Sequence, residues 1–253
     1  MTPTIVVINK NNITDFIKFC ILASINSPVA LLSVLSTIAL VGSVISPMSD
    51  VTKFFMTLIV CYLLLLVQPI LSLAACFRLT MKKSLFECFR VFNSTNHIGR
   101  MFKMITLYGV PLVAVIAILS GWAGDNDPIA KSMEDSMLFA FVIGLILGYL
   151  NADIWLSCLC KFAVSWSFPQ LTSSESDYYV EQGKNLNAKP FAWMKVYITI
   201  MYAIGIGTHS LLLILTVIAG VHICMIFAYY VYVSGQYPRT REKVTVLKPV
   251  ESM

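Results

Sequence analysis

The amino-acid sequence predicts an all-α fold: a polytopic membrane bundle of six transmembrane helices, with short amphipathic interfacial helices on the cytoplasmic side. Three observations predict it. The 253 residues are 58% hydrophobic and only 12% charged, whereas about a quarter of an ordinary soluble domain is charged. Apolar stretches lie at roughly 28–48, 54–77, 104–123, 136–160 and 196–233. Crossing a ~30 Å hydrocarbon core takes about 20 mainly apolar residues, and each stretch meets that length. The basic residues also keep to one side. With six crossings, all of the 18 Lys+Arg except Lys53 and Lys131 fall in segments on one face of the membrane, as the positive-inside rule requires of cytoplasmic loops.

The elements follow in chain order. Residues 1–12 are mixed, and no cleavable signal peptide is expected because the next apolar stretch is too long for one. In 13–25, Ile13, Phe16, Ile17, Phe19, Cys20 and Ile21 are interrupted by Asp15 and Lys18, the pattern of a helix lying in the membrane interface. Ser27-Pro28 then opens the first span, the serine capping and the proline at the first helical position. Ser46-Pro47-Met48-Ser49-Asp50 supplies an outward turn into the second span.

The connector 78–103 is the most basic part of the chain. Arg78, Lys82, Lys83, Arg90, Arg100 and Lys103 face a single acid, Glu87. Within it, Ser84 and Glu87 have capping-box spacing, and Leu85, Phe86, Phe89 and Phe92 share one helical face. The six basic side chains are expected to contact anionic lipid headgroups, each worth ~1 kcal/mol near the surface. Nucleic acid is not an expected partner, since no nucleic-acid-binding motif accompanies the charge.

The third span carries Pro111, tolerated in a membrane helix whose neighbours satisfy the freed carbonyl. The outward loop to Asp135 holds Asp125, Asp127, Glu134 and Asp135 but lacks the calcium-loop pattern. The fourth span contains Gly144-x-x-x-Gly148, spacing that lets two helices approach closely. Loop 161–190 has room for one or two short helices. It is read either as a solvated connector or as a cytoplasmic docking surface.

The stretch 196–233 would be about 57 Å long as a single helix, nearly twice the hydrocarbon thickness. Gly205 and Gly207 offer a turn, so it divides into spans at 191–207 and 210–233. The whole chain, 1–253, then forms one integral membrane domain with a cytoplasmic tail at 234–253.

Four polar residues interrupt the spans at a common depth: Gln68, Asn151, Asp153 and His222. Ionisable side chains inside a span are usually paired, and they often mark a pathway. On one reading Asp153 and His222 pair in a cluster with Gln68 and Asn151 and couple protonation to transport. On the other, Asp153 reaches a basic group at the inner boundary and His222 is a packing residue. No enzyme signature is present, such as a nucleophile elbow, zinc-helix motif or P-loop. Seven cysteines without a C-x-x-C pair point to free thiols, with neither metal nor cofactor.

The function expected from the sequence is that of a non-catalytic multi-pass membrane protein acting through protein–protein contacts. An assembly factor, a regulator or an immunity-type protein against a membrane-acting partner would fit. A small-solute or proton-coupled transporter is the alternative, and a membrane-embedded enzyme the second. Expected partners are a bilayer with anionic headgroups and a membrane protein or a second copy. The expected location is the plasma (inner) membrane, with both termini cytoplasmic.

Overall fold

Apolar residues at helical spacing generate most of the architecture. The computed structural model describes residues 3–26, 71–80, 137–207, 211–233 and 242–248. The expected spans at 28–48 and 104–123, most of that at 54–77, and Gln68 lie outside these residues. So do Lys82, Lys83, Arg90, Arg100 and Lys103. Among the described residues, six helices and one ribbon follow in order: β1 (Thr4–Val6), α1 (Ile13–Ile25), α2 (Leu71–Thr80), α3 (Met137–Ser167), α4 (Ser173–Leu186), α5 (Ala188–Gly207), α6 (Leu211–Val233) and β2 (Lys243–Thr245).

The ribbon corrects the all-α expectation. β1 and β2 pair antiparallel, with Thr4 opposite Thr245, Ile5 opposite Val244 and Val6 opposite Lys243. β1 buries Ile5 and Val6 in the core, whereas β2 is exposed throughout. The chain then turns at Asn9 and Asn12, where the Asn12 carboxamide accepts from the Asn9 amide and donates to the Val7 carbonyl. Asparagine favours such turns because its side chain closes them without a second residue.

α1 has two apolar stripes. Phe19 and Ala23 face inward, while Ile13, Ile17, Ile21 and Ile25 recur every fourth residue on the exposed side. α3 is 31 residues long, about 46 Å at 1.5 Å per residue, and continues beyond the end expected near 160. Its segment Phe141–Ser167 is, among the described residues, the one helix long and apolar enough to cross a membrane by length and composition. α4 begins with a capping box: the Thr172 hydroxyl accepts from the Glu175 amide, and the Glu175 carboxylate accepts from the Thr172 amide.

The relative directions of the helices follow from their contacts. A Cβ added to Gly144 would lie 2.7 Å from the Ala203 Cα, and one on Gly148 would lie 2.9 Å from the Thr199 Cα. Position rises on α3 as it falls on α5, so the two run antiparallel at a separation only glycine permits. α5 ends at Gly207 and α6 starts at Leu211. Gly220 of α6 faces Met201 of α5, so these two are also antiparallel. Ser72 bonds His222, and Thr80 bonds Tyr229 at 2.9 Å, so α2 and α6 run parallel. α2, α3 and α6 therefore point one way and α5 the other.

The last turns of α6 form the hub of the core, since Cys224 through Tyr232 are at most 1% exposed. Phe227 meets Phe16 of α1 and Phe191 of α5 edge-on, with ring centroids 5.8 and 5.1 Å apart. Tyr230 meets Phe16 and Phe19 at 5.0 and 5.4 Å. Each such aromatic pair contributes about 0.5–1.5 kcal/mol beyond the area it buries. Segments outside the expected spans therefore share one core. Ile5, Val6, Phe19, Leu171, Tyr179 and Val180 join the same buried cluster as α6.

Candidate functional site

Asp153 sits on α3 one turn beyond Tyr149. Antiparallel packing places Lys195 of α5 beside it, and α4 folds back so that Lys184 reaches it too. The Lys195 ammonium is 3.3 Å from Asp153 Oδ1, and the Lys184 ammonium is 3.5 Å from both carboxylate oxygens. The Asp153 side chain is 52% exposed, and the two lysines are about a third exposed. Lys195 also lies 6.0 Å from the centre of the Tyr149 ring, within reach of a cation–π attraction. Two cations thus share one anion at the molecular surface.

His222 belongs to another contact. Its Nδ1 bonds the Ser72 hydroxyl, and both residues are buried between α6 and α2. Asn151 bonds neither of these, and its amide donates to the Leu147 carbonyl one turn back, at 2.7 Å. Ser157 and Thr199 bond the carbonyls of Asp153 and Lys195 in the same way. Such back-bonding lets a polar side chain sit on an apolar helix without leaving a donor unsatisfied. Among the described residues, Asp153, His222 and Asn151 therefore each have their own structural partner and share none. Gly144 and Gly148 are used in packing α3 onto α5 of the same chain. Arg78 is exposed near the C-terminal end of α2.

Several residues with structural roles escaped the sequence argument. Asn187, 1% exposed, joins α4 to α5 and fastens the N-terminal segment. Its carboxamide oxygen accepts from the Ile8 amide at 2.7 Å, and its NH2 donates to the Val6 carbonyl at 2.9 Å. Nothing local in the sequence signals this, because the partners are about 180 residues away. The Tyr232 hydroxyl is held over the carbonyls of Tyr179 and Val180 on α4, both at 3.1 Å. It occupies the space left by the missing side chain of Gly183. Lys161 pairs with Asp177 at 2.7 Å, and Lys248 pairs with Glu175 at 3.1 Å. The Lys248 pair ties the C-terminal segment to the start of α4. Of these features, only the Thr172/Glu175 capping box could have been read directly from the sequence.

An apolar pocket opens between α3, α5 and α6, lined by Trp155, Leu159, Ile198, Tyr202, Gly220 and Cys224 among others. It holds no carboxylate or imidazole, and apart from the Tyr202 and Cys224 side chains its lining suits a hydrocarbon group. Among the described residues, no group of three or more His, Cys, Asp or Glu could hold a metal ion. Outside the apolar helices, burial pushes the Cys20 thiol up to about 12, which leaves it protonated and inert near neutral pH. No protein-family profile, curated protein or solved structure matches this chain.

Proposed function

We propose that the chain is a six-span, non-catalytic membrane protein of the inner membrane that acts through contacts with another membrane protein. The observation that carries this reading is the separate use of the three described polar side chains of the expected cluster. Asp153 is held by Lys184 and Lys195, His222 by Ser72, and Asn151 by its own helix. A proton or ion relay needs such groups in sequence along one path, whereas here each has its own partner.

The threading has independent support. β1 and β2 pair, which supports a threading in which the segments before the first span and after the last share one side of the bilayer. The shared direction of α2, α3 and α6, with α5 opposed, suits spans two, four and six crossing inward and span five outward. Together with the one-sided basic residues, this favours six crossings with both ends cytoplasmic. α4 then hangs beneath the bundle, with Ser174, Asp177, Glu181 and Asn185 exposed, as the surface offered to a partner.

Two measurements test the proposal. Photo-crosslinkers at 174, 181 and 185 in the native host should trap one partner in stoichiometric yield, while a probe at buried position 180 traps none. Purified protein in vesicles loaded with a pH-sensitive dye should pass no more protons than empty vesicles. A proton flux abolished by Asp153→Asn would replace this reading with the transport one.

A further inference from the structure

The shared lysines and the side chains around them carry a more specific inference, which rests on the membrane reading above. Along α3, the exposed apolar residues Phe141, Val142, Ile146 and Leu150 form a continuous face, joined by Val196 and Ile200 of α5. This face runs on to Ile154 and ends at the level of Asp153, Lys184 and Lys195. At the same level, Tyr149 is 67% exposed and Trp193 is 74% exposed. Tryptophan and tyrosine with an apolar body and a polar edge concentrate where hydrocarbon meets headgroups. An exposed tryptophan on the same stretch of α5 as Lys195, level with the foot of an apolar face, has the composition of that boundary.

The charge balance specifies the ligand. Two ammonium groups face one carboxylate at 3.3–3.5 Å, longer than the ~2.7–2.9 Å of a tight charge-assisted bond. Among the described residues the lysines keep one uncompensated positive charge, and they stay partly exposed at the apolar edge. From the geometry we infer that Lys184 and Lys195 form a binding site for the phosphate of an anionic lipid of the inner leaflet, with Trp193 and Tyr149 flanking the glycerol region and Asp153 holding the lysines in place when no lipid is bound.

The site also fixes the depth of the molecule. From Met137 to Asp153 α3 rises about 24 Å, and the lysine stems extend the reach toward the headgroups by snorkelling. The end of α3 from Lys161, together with α4 and the ribbon, then lies in water beneath the leaflet. That placement accounts for the ion pair between Lys161 of α3 and Asp177 of α4.

The test uses the full chain reconstituted in phosphatidylcholine vesicles containing a minority of spin-labelled phosphatidylglycerol or phosphatidylcholine. The immobilised fraction of each label gives the lipid preference. The wild-type chain should prefer phosphatidylglycerol, and Lys184→Gln/Lys195→Gln should lower the preference on the order of tenfold or more, at roughly tenfold or less per lysine. Lys184→Arg/Lys195→Arg should retain it. Asp153→Asn should raise it, because the competing carboxylate is gone. That variant keeps the test decisive if the double glutamine variant fails to fold. Equal preference in wild type and Asp153→Asn would overturn the site. So would displacement of the lipid by millimolar inorganic phosphate, which would indicate a soluble-phosphate site instead. A chain that does not float with the vesicles would overturn the membrane reading and this site with it, whereas a floating chain without lipid preference overturns the site alone.

Discussion

At the scale of single residues, stability is concentrated in buried polar groups with more than one partner. Asn187 is the clearest. Its side chain supplies the acceptor for Ile8 N–H and the donor for Val6 C=O, two backbone groups that β1 brings into the core. Asn187→Ala would strand both away from water, and each unsatisfied buried group costs about 1–3 kcal/mol. The expected loss is about 2–4 kcal/mol, read as a lower midpoint of unfolding in detergent, with early exchange of the amides of residues 4–8. Asn187→Asp should be nearly as harmful, because a carboxylate accepts from Ile8 but cannot donate to Val6. Glu175 gives a pH dependence instead. Its bond from the Thr172 amide and its pairing with Lys248 hold its carboxyl below the usual range. A carboxyl depressed in the folded state binds fewer protons than in the unfolded chain, so it stabilises above the unfolded value. That contribution fades below about pH 4. Amide exchange at 243–248, corrected for intrinsic rate, should therefore quicken as the pH falls from about 6 to about 3. Glu175→Gln keeps the cap but loses the ion pair, so its tail should exchange quickly at both pH values.

At the scale of elements, two helix pairs depend on missing side chains. A Cβ on Gly148 would lie 2.8 Å from Tyr202 Cβ and 2.9 Å from Thr199 Cα, atoms that cannot move without moving α5. Gly148→Ala should cost about 1–3 kcal/mol as overpacking, and Gly148→Leu should separate α3 from α5. Pulling α5 away would also draw Lys195 off Asp153. Gly183→Ala places its methyl against the Tyr232 hydroxyl, so α4 should lift from α6. Limited proteolysis between 165 and 190 would report that change, with little effect on α3. The same elements show what the sequence could and could not reveal. The break between α5 and α6 was legible from arithmetic alone, since a 38-residue helix is too long for the bilayer and two glycines lay near its middle. The close face of α3 was legible from Gly144 and Gly148, but not that its partner is α5. Pairing across a bundle depends on residues far apart in sequence. For the same reason the sequence left open whether Asp153 is a companion of His222 or reaches a basic group: rotation about the helix axis was not readable, and the structure brings Lys184 and Lys195 to it. The ribbon left almost no trace, because three-residue strands are too short for an alternating pattern to stand out. The expected box at Ser84 and Glu87 falls outside the described residues, while the same signature at Thr172 and Glu175 starts a real helix.

At the scale of the whole molecule, the fold can be read as a bundle closed around the C-terminal turns of α6. The final turns of α6 receive α1, α2, α3, α4 and α5 around one stack of aromatic side chains, and the ribbon draws both ends of the chain to the same place. The threading can therefore be tested through the ribbon rather than through reporter fusions alone. Thr4 and Thr245 are directly opposite each other, and neither is buried. In a chain whose native cysteines are replaced by serine or alanine, Thr4→Cys and Thr245→Cys should form a disulfide on mild oxidation. A protease site placed near position 128 should be cut from outside in intact cells, because that loop faces outward in a six-crossing chain. The two halves should then migrate as one species without reductant and separate with it, whereas the pair Thr4→Cys and Leu247→Cys, out of register by two residues, should cross-link poorly. An odd number of crossings would put positions 4 and 245 on opposite sides of the bilayer, where no oxidant could join them. Cutting at 128 together with a complete absence of the disulfide between positions 4 and 245 would therefore reject the ribbon, and a site at 128 that is never cut from outside would reject the six-span threading, even if each helix were correctly drawn.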